Sequence, residues 1–194
     1  PALQEYMQLE GLAYRIVPVK GRPERVNTEA MYDNMMNKFV WGNIADPNVY
    51  LDEQHLRMAR TMRMMFGQLV DALINEGQKE KALAVLDKCM EVIPISSVPA
   101  DYSTAMLAGY YYELGQTEKA DNLTRPLLDD CIQKIEWVNS LDIKKRRRVV
   151  SQELSIRQNV GLIQNLWMTA RNHNSELTTE LEENLQKYYP LANQ

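Results

Sequence analysis

Few side chains in this 194-residue chain stand where they could do chemistry. His55 and His173 are its two histidines. Each falls within or at the end of a polar helical stretch with no obvious partner for acid–base work. The adjacent carboxylates Asp129-Asp130 and Glu182-Glu183 point to different sides of a helix, so neither pair is a dyad. Cys89 and Cys131 are too few for a structural zinc site, which needs about four ligands at close spacing. Both lie in expected helices and read as buried small apolar side chains, with a disulfide open only if their helices are neighbours. The chain carries no phosphate-binding glycine loop and no nucleophile elbow. The expectation is a chain with no catalytic residue, no metal ligands and no cofactor.

Two stretches are dense in one property. "RMARTMRMMFG" holds Met58, Met62, Met64 and Met65. They read chiefly as core filler, with Met64 the best placed for exposure as an adaptable contact. "KKRRR", Lys144–Arg148, could meet an anionic lipid surface or a phosphate backbone. No aromatic residue interleaves it, the chain's net charge is -4, and a helix start disfavours cations. It is therefore expected to be a solvated helix start or a salt-bridge partner, and nucleic acid is not an expected ligand.

The rest of the composition is ordinary, with 45% hydrophobic and 25% charged residues. No apolar run reaches the roughly 20 residues of a membrane helix. Pro1–Leu9 lacks the basic-then-apolar pattern of a signal peptide. The expectation is a fragment of a longer protein.

The elements that must position these residues are mainly helices. Leu12–Val19 carries β-formers and predicts a short extended segment, followed by a turn over 20–27. Thr28 can cap a helix over Glu29–Phe39. "FVWGNIADPNVYL" could hold one or two short strands pairing with Leu12–Val19. Asp52 opens a long helix striped by Leu56, Ala59, Met62, Phe66, Leu69 or Val70, and Leu73, closed by Gly77. Lys79–Ile93 follows and ends at Pro94. Asp101 or Ser103 caps Thr104–Leu114, closed by Gly115. A fourth helix runs from Thr117 to Leu141 through Pro126, and a fifth is expected to be continuous over 144–172. A last one carries Leu177, Leu181, Leu185 and Tyr188 up to Pro190. By element type this divides the chain into 1–51 (short strands and one helix), 52–141 (two helical hairpins) and 142–194 (a long helix and a capping hairpin).

The two hairpins superpose on their glycines. "GQKEKALAVL" lies over "GQTEKADNLT", with Gly77 and Gly115 offset by 38 residues. One copy is marked by Leu69, Leu73, Gly77, Ala82, Leu86 and Pro94, the next by Leu107, Ala108, Tyr111, Gly115 and Ala120. Small residues let the helices approach and glycine permits the tight left-handed turn. The pattern resembles the tetratricopeptide repeat, a unit of about 34 residues, with the extra residues placed in "ISSVP". Residues 150–189 look like a degenerate third copy with Asn for Gly and Thr178 or Thr179 for Ala. The resemblance implies a mainly all-α, tetratricopeptide-like hairpin array that binds peptides or proteins on the inner face of its first helices. The inner-face candidates are Gln68, Asp71, Asn75, Tyr102, Tyr112 and Glu113. The family's carboxylate clamp uses Lys and Asn at set inner positions. Gly67 and Asp71 in the first copy make a C-terminal carboxylate an unexpected ligand.

A wider resemblance rests on "LEGLAYRIVPV", "VNTEAMYDNMMNKFVWGN" and the run from "VYLDEQHLRMAR" to "DKCMEVIP". These phrases are similar to the C-terminal region of bacterial multi-spanning membrane proteins related to glycosyltransferase-C-type protein O-mannosyltransferases. That implies transfer chemistry in a membrane part outside these residues. It also implies an extracytoplasmic location on a bacterial inner membrane, and a role for this chain in engaging an acceptor protein or steadying the membrane part. The alternative is a free-standing peptide-binding scaffold unrelated to sugar transfer.

Overall fold

The structure, a computed structural model, describes residues 4–18, 20, 25–149 and 154–193. It is mainly helical with one small sheet, as expected. The chain divides into two compact units, 1–99 and 100–194. One of the two expected hairpins lies in each, which is a different partition from the grouping by element type at 51/52 and 141/142.

In the first unit, a 3-10 turn (Gln4–Tyr6) leads into strand β1 (Met7–Leu9). β1 is the middle of three. It pairs antiparallel with β2 (Tyr14–Ile16), Gln8 opposite Arg15, and parallel with β3 (Arg25–Val26), Leu9 opposite Val26. The sheet thus uses partners other than those expected. Leu12 and Ala13 form a bend, residues 39–51 hold turns and no strand, and part of the expected 20–27 turn is β3. Val19 and residues 21–24 lie outside the described residues. The apolar character of 39–51 has another cause: Trp41 packs on Phe66 (centroids 5.1 Å) and edge-on to Phe39 (5.9 Å).

Helix α1 (Thr28–Asp33) is capped by Asn27, whose side chain accepts from the Ala30 N–H at 3.2 Å. Thr28, the expected cap, instead donates its hydroxyl to Glu76 at 3.0 Å. The chain then widens into a π-helical turn, Asn34–Lys38. The Phe39 N–H closes it on the Asn34 carbonyl at 2.9 Å.

Asp52 caps α2 (Glu53–Asn75) by accepting the His55 N–H at 2.9 Å. Ala59, Phe66, Leu69, Val70 and Leu73 are buried along one stripe, against α3 (Lys79–Val92) with its buried Ala82, Val85, Leu86 and Cys89. Arg63 shares that stripe and is 0% exposed. Its guanidinium donates to the carbonyls of Ile93 (3.0 and 3.2 Å), Val98 (2.6 Å) and Pro99 (3.2 Å). It thereby closes the C-terminal end of α3 and shapes the "ISSVP" loop.

In the second unit, Asp101 and Thr104 form a capping box for α4 (Tyr102–Glu113). α5 (Thr117–Ser140) passes through Pro126 without ending. The expected continuous helix over 144–172 is two helices, α6 (Ile143–Val149) and α7 (Ile156–Asn172). Each has its own start: Asp142 accepts the Lys145 N–H at 2.9 Å, and Ser155 the Gln158 N–H at 3.4 Å. The cation run itself is helical within α6. The interruption lies at 154–155, a turn and then the extended Ser155 cap of α7, and 150–153 are outside the described residues. α7 packs on α5 and on α4. α8 (Thr178–Tyr188) packs on α7 and runs into a 3-10 turn, Tyr189–Asn193.

One turn recurs three times. At the end of α2, the Gln78 N–H donates to the Leu73 carbonyl (2.8 Å) and the Gly77 N–H to that of Ile74 (2.9 Å). At the end of α4, Gln116 donates to Tyr111 (2.8 Å) and Gly115 to Tyr112 (3.0 Å). At the end of α7, Ser175 donates to Ala170 (3.0 Å) and Asn174 to Arg171 (3.2 Å). This double bond pattern is the Schellman motif. Its left-handed residue is Gly77 (φ 75°), Gly115 (φ 73°) and Asn174 (φ 53°). The helices that follow differ. Ala82 and Ala120, each five residues past the left-handed one, are fully buried. In α8 the fifth residue is Thr179, which is exposed, and Leu181 is buried instead. The third hairpin thus keeps the turn and rotates its second helix by about two residues.

Candidate functional site

The face expected to bind can be traced on each first helix. On α2, Thr61, Met64, Gln68, Asp71 and Asn75 follow at steps of three and four, opposite the buried stripe. Asp71 and Asn75 are exposed and bonded to each other at 3.2 Å, Gln68 is half-buried, and Met64 is 45% exposed. Met58 is exposed further still, while Met62 and Met65 are half-buried.

The same register, carried over by the 38-residue offset, gives Met106, Gly109 and Glu113 on α4. Tyr102 extends that line one turn earlier and is 72% exposed, and Glu113 is exposed. Tyr112 is a correction. It faces the other way and is 2% exposed, so it belongs to the interior of its unit and not to an open face. An aromatic next to an exposed Glu gives no sign of which of the two faces inward. The two-turn register from Gly115 does.

Tyr112 anchors the polar cluster of the second unit. Its O–H donates to Asp121 at 2.5 Å, and the Ser175 O–H donates to the same oxygen at 2.6 Å. The Ser175 oxygen accepts the Leu177 N–H at 3.1 Å, and the His173 ring stacks on Tyr112 at 5.6 Å. Serine, histidine and aspartate meet here, but not as a nucleophilic triad. The serine proton goes to the aspartate, and its oxygen holds the start of α8. Burial pushes the Tyr112 hydroxyl above its ordinary range, and the Asp121 carboxylate adds to that. The cluster fastens the α7–α8 turn to α4 and α5. Below it, Tyr188 donates its hydroxyl to Glu136, and Lys187 reaches the same carboxylate at 3.2 Å. Those two contacts hold the Glu136 carboxyl below its usual range, the tyrosine bond first.

The first unit has a polar cleft of about 440 Å³ lined by Glu10, Arg15, Asn27, Asp33, Asn34 and Lys38. Both of its cations are matched internally. Arg15 pairs with Glu10 at 3.0 Å and Lys38 with Asp33 at 2.5 Å, while Asn34 donates to the Glu10 carbonyl at 2.6 Å. A charged ligand would have to displace those pairs.

Cys89 and Cys131 are buried free thiols, each pushed up to about 12 by desolvation. His55 bonds Asp52 at 2.7 Å at the exposed start of α2. Among the described residues no group of three or more His, Cys, Asp or Glu could hold a metal ion, and no helix is long and apolar enough to cross a membrane. Comparison with family models, curated proteins and solved structures returns no match.

Proposed function

We propose that the chain is a non-catalytic, tetratricopeptide-like accessory domain of a membrane glycosyltransferase-like protein, placed on the extracytoplasmic side of a bacterial inner membrane. Its first helices engage a protein or peptide, or the membrane part of the same protein, through Gln68, Asp71 and Asn75 on α2 and Tyr102 and Glu113 on α4. The observation that carries the binding role is the recurrence of one hairpin turn, bond for bond, at Gly77 and Gly115. A recurring hairpin leaves one stripe of each first helix open while the other forms the core. The membrane parentage is supported by the family-like phrases of the N-terminal half.

Site-specific photo-crosslinking tests the binding face. A photoreactive residue at Asp71, Asn75 or Tyr102, in the full-length protein in its membrane, is expected to give discrete protein adducts. The same probe at Lys79, exposed on the second helix of the first hairpin, is expected to give none. Equal labelling at all four positions would contradict the assignment of the face.

A further inference from the structure

We infer that the end of α5 and the short helix α6 form a contact surface for an anionic lipid membrane. Charge is the first ground. Residues 137–149 carry five cations (Lys144, Lys145, Arg146, Arg147, Arg148) against one carboxylate, Asp142, a net of +4. The chain as a whole is -4, so the remaining residues carry -8. A positive charge so concentrated on an acidic protein marks a local anionic partner.

Placement is the second ground. Lys144, Lys145 and Arg148 are exposed and lie on one side of α6 by helical spacing. Arg146, on the other side, is half-buried and donates back to the Asn139 carbonyl at 3.1 Å. That bond ties α6 to the end of α5, while Lys144, Lys145 and Arg148 stay exposed. Asp142 pairs with Lys145 at 3.2 Å and caps the helix, so it offsets one cation of the three.

The third ground distinguishes lipid from a phosphate backbone. Trp137, one turn before the end of α5, is 47% exposed, and Ile143, the first residue of α6, is 70% exposed. An isoleucine offered to water beside lysines gives nothing to a nucleic-acid backbone. An exposed tryptophan and an exposed aliphatic side chain within one basic segment are what an interfacial stretch offers at the headgroup level. Basic residues supply attraction to anionic headgroups.

The test is co-sedimentation of the 194-residue chain with vesicles of phosphatidylcholine, with and without phosphatidylglycerol. Binding is expected only to the anionic vesicles, and it should fall steeply with added salt. K144E/K145E/R148E should weaken it at least about tenfold, following loss of three attractive charges, with an unchanged circular-dichroism melt. Lipids brominated in the acyl chain should quench the fluorescence of the bound chain, and Trp137→Phe should remove most of that quenching. Equal binding to neutral and anionic vesicles, retention by the triple variant, or quenching that survives Trp137→Phe would each overturn the proposal. So would binding to duplex DNA of the same chain concentration that does not bind vesicles.

Discussion

Arg63 stands in the middle of a methionine-rich stretch, and its role is set by carbonyls thirty or more residues away. Replacing it with Met keeps the bulk and removes the donors, leaving the carbonyls of Ile93 and Val98 unsatisfied in the interior. The cost is expected to be about 3 kcal/mol, read as a lower urea midpoint. Arg63→Lys should recover less than half of it, because one ammonium cannot reproduce the guanidinium fork. Full recovery by Lys would mean that charge alone matters there. Tyr112 makes a pH-dependent case. Its raised ionisation favours the neutral form in the folded protein, so its contribution is intact below the ordinary tyrosine value of 10.0 and is lost as pH rises through the folded value. The alkaline limb of a stability–pH profile should be shallower in Tyr112→Phe. Neither residue's role could be read beforehand. An arginine between methionines looks like a solvent-facing charge, and its partners are main-chain groups that no side-chain pattern reports.

Elements were legible where their signals are local. Asp52, Gly77, Pro94, Asp101 and Gly115 each act within one turn of themselves, and α2, α3, α4 and α5 begin and end within two residues of expectation. The sheet was not legible in its pairing, because strands of two or three residues have no alternation to register. The break between α6 and α7 was missed because an apolar stripe does not report a new helix start such as the Ser155 cap. The turns give a graded test. Gly77→Ala and Gly115→Ala should each cost about 1–2 kcal/mol, since a β-carbon is disfavoured in the left-handed region. Asn174→Gly should be neutral or slightly stabilising. A loss from Asn174→Gly as large as from Gly77→Ala would mean the third turn is not equivalent to the first two. Ala82→Trp, at a fully buried contact of α3, should cost about 1–3 kcal/mol or more through overpacking. An unchanged melting temperature would count against the helix approach described at that position.

At the scale of the molecule, residues 1–99 and 100–194 are two compact units. Each expressed alone should give a helical spectrum and a cooperative melt. A fragment that stays unfolded would show that its core needs the other unit. The site residues divide along the same line, with Gln68, Asp71 and Asn75 in one unit and Tyr102 and Glu113 in the other. The open stripe of each first helix followed from periodicity, whereas the inward turn of Tyr112 did not. The parentage is tested most directly by reading the source gene upstream of the Pro1 codon. Several apolar spans of about 20 residues are predicted there, in frame with this chain. A start codon close by with no such span would contradict the membrane-glycosyltransferase assignment and leave a free-standing peptide-binding scaffold.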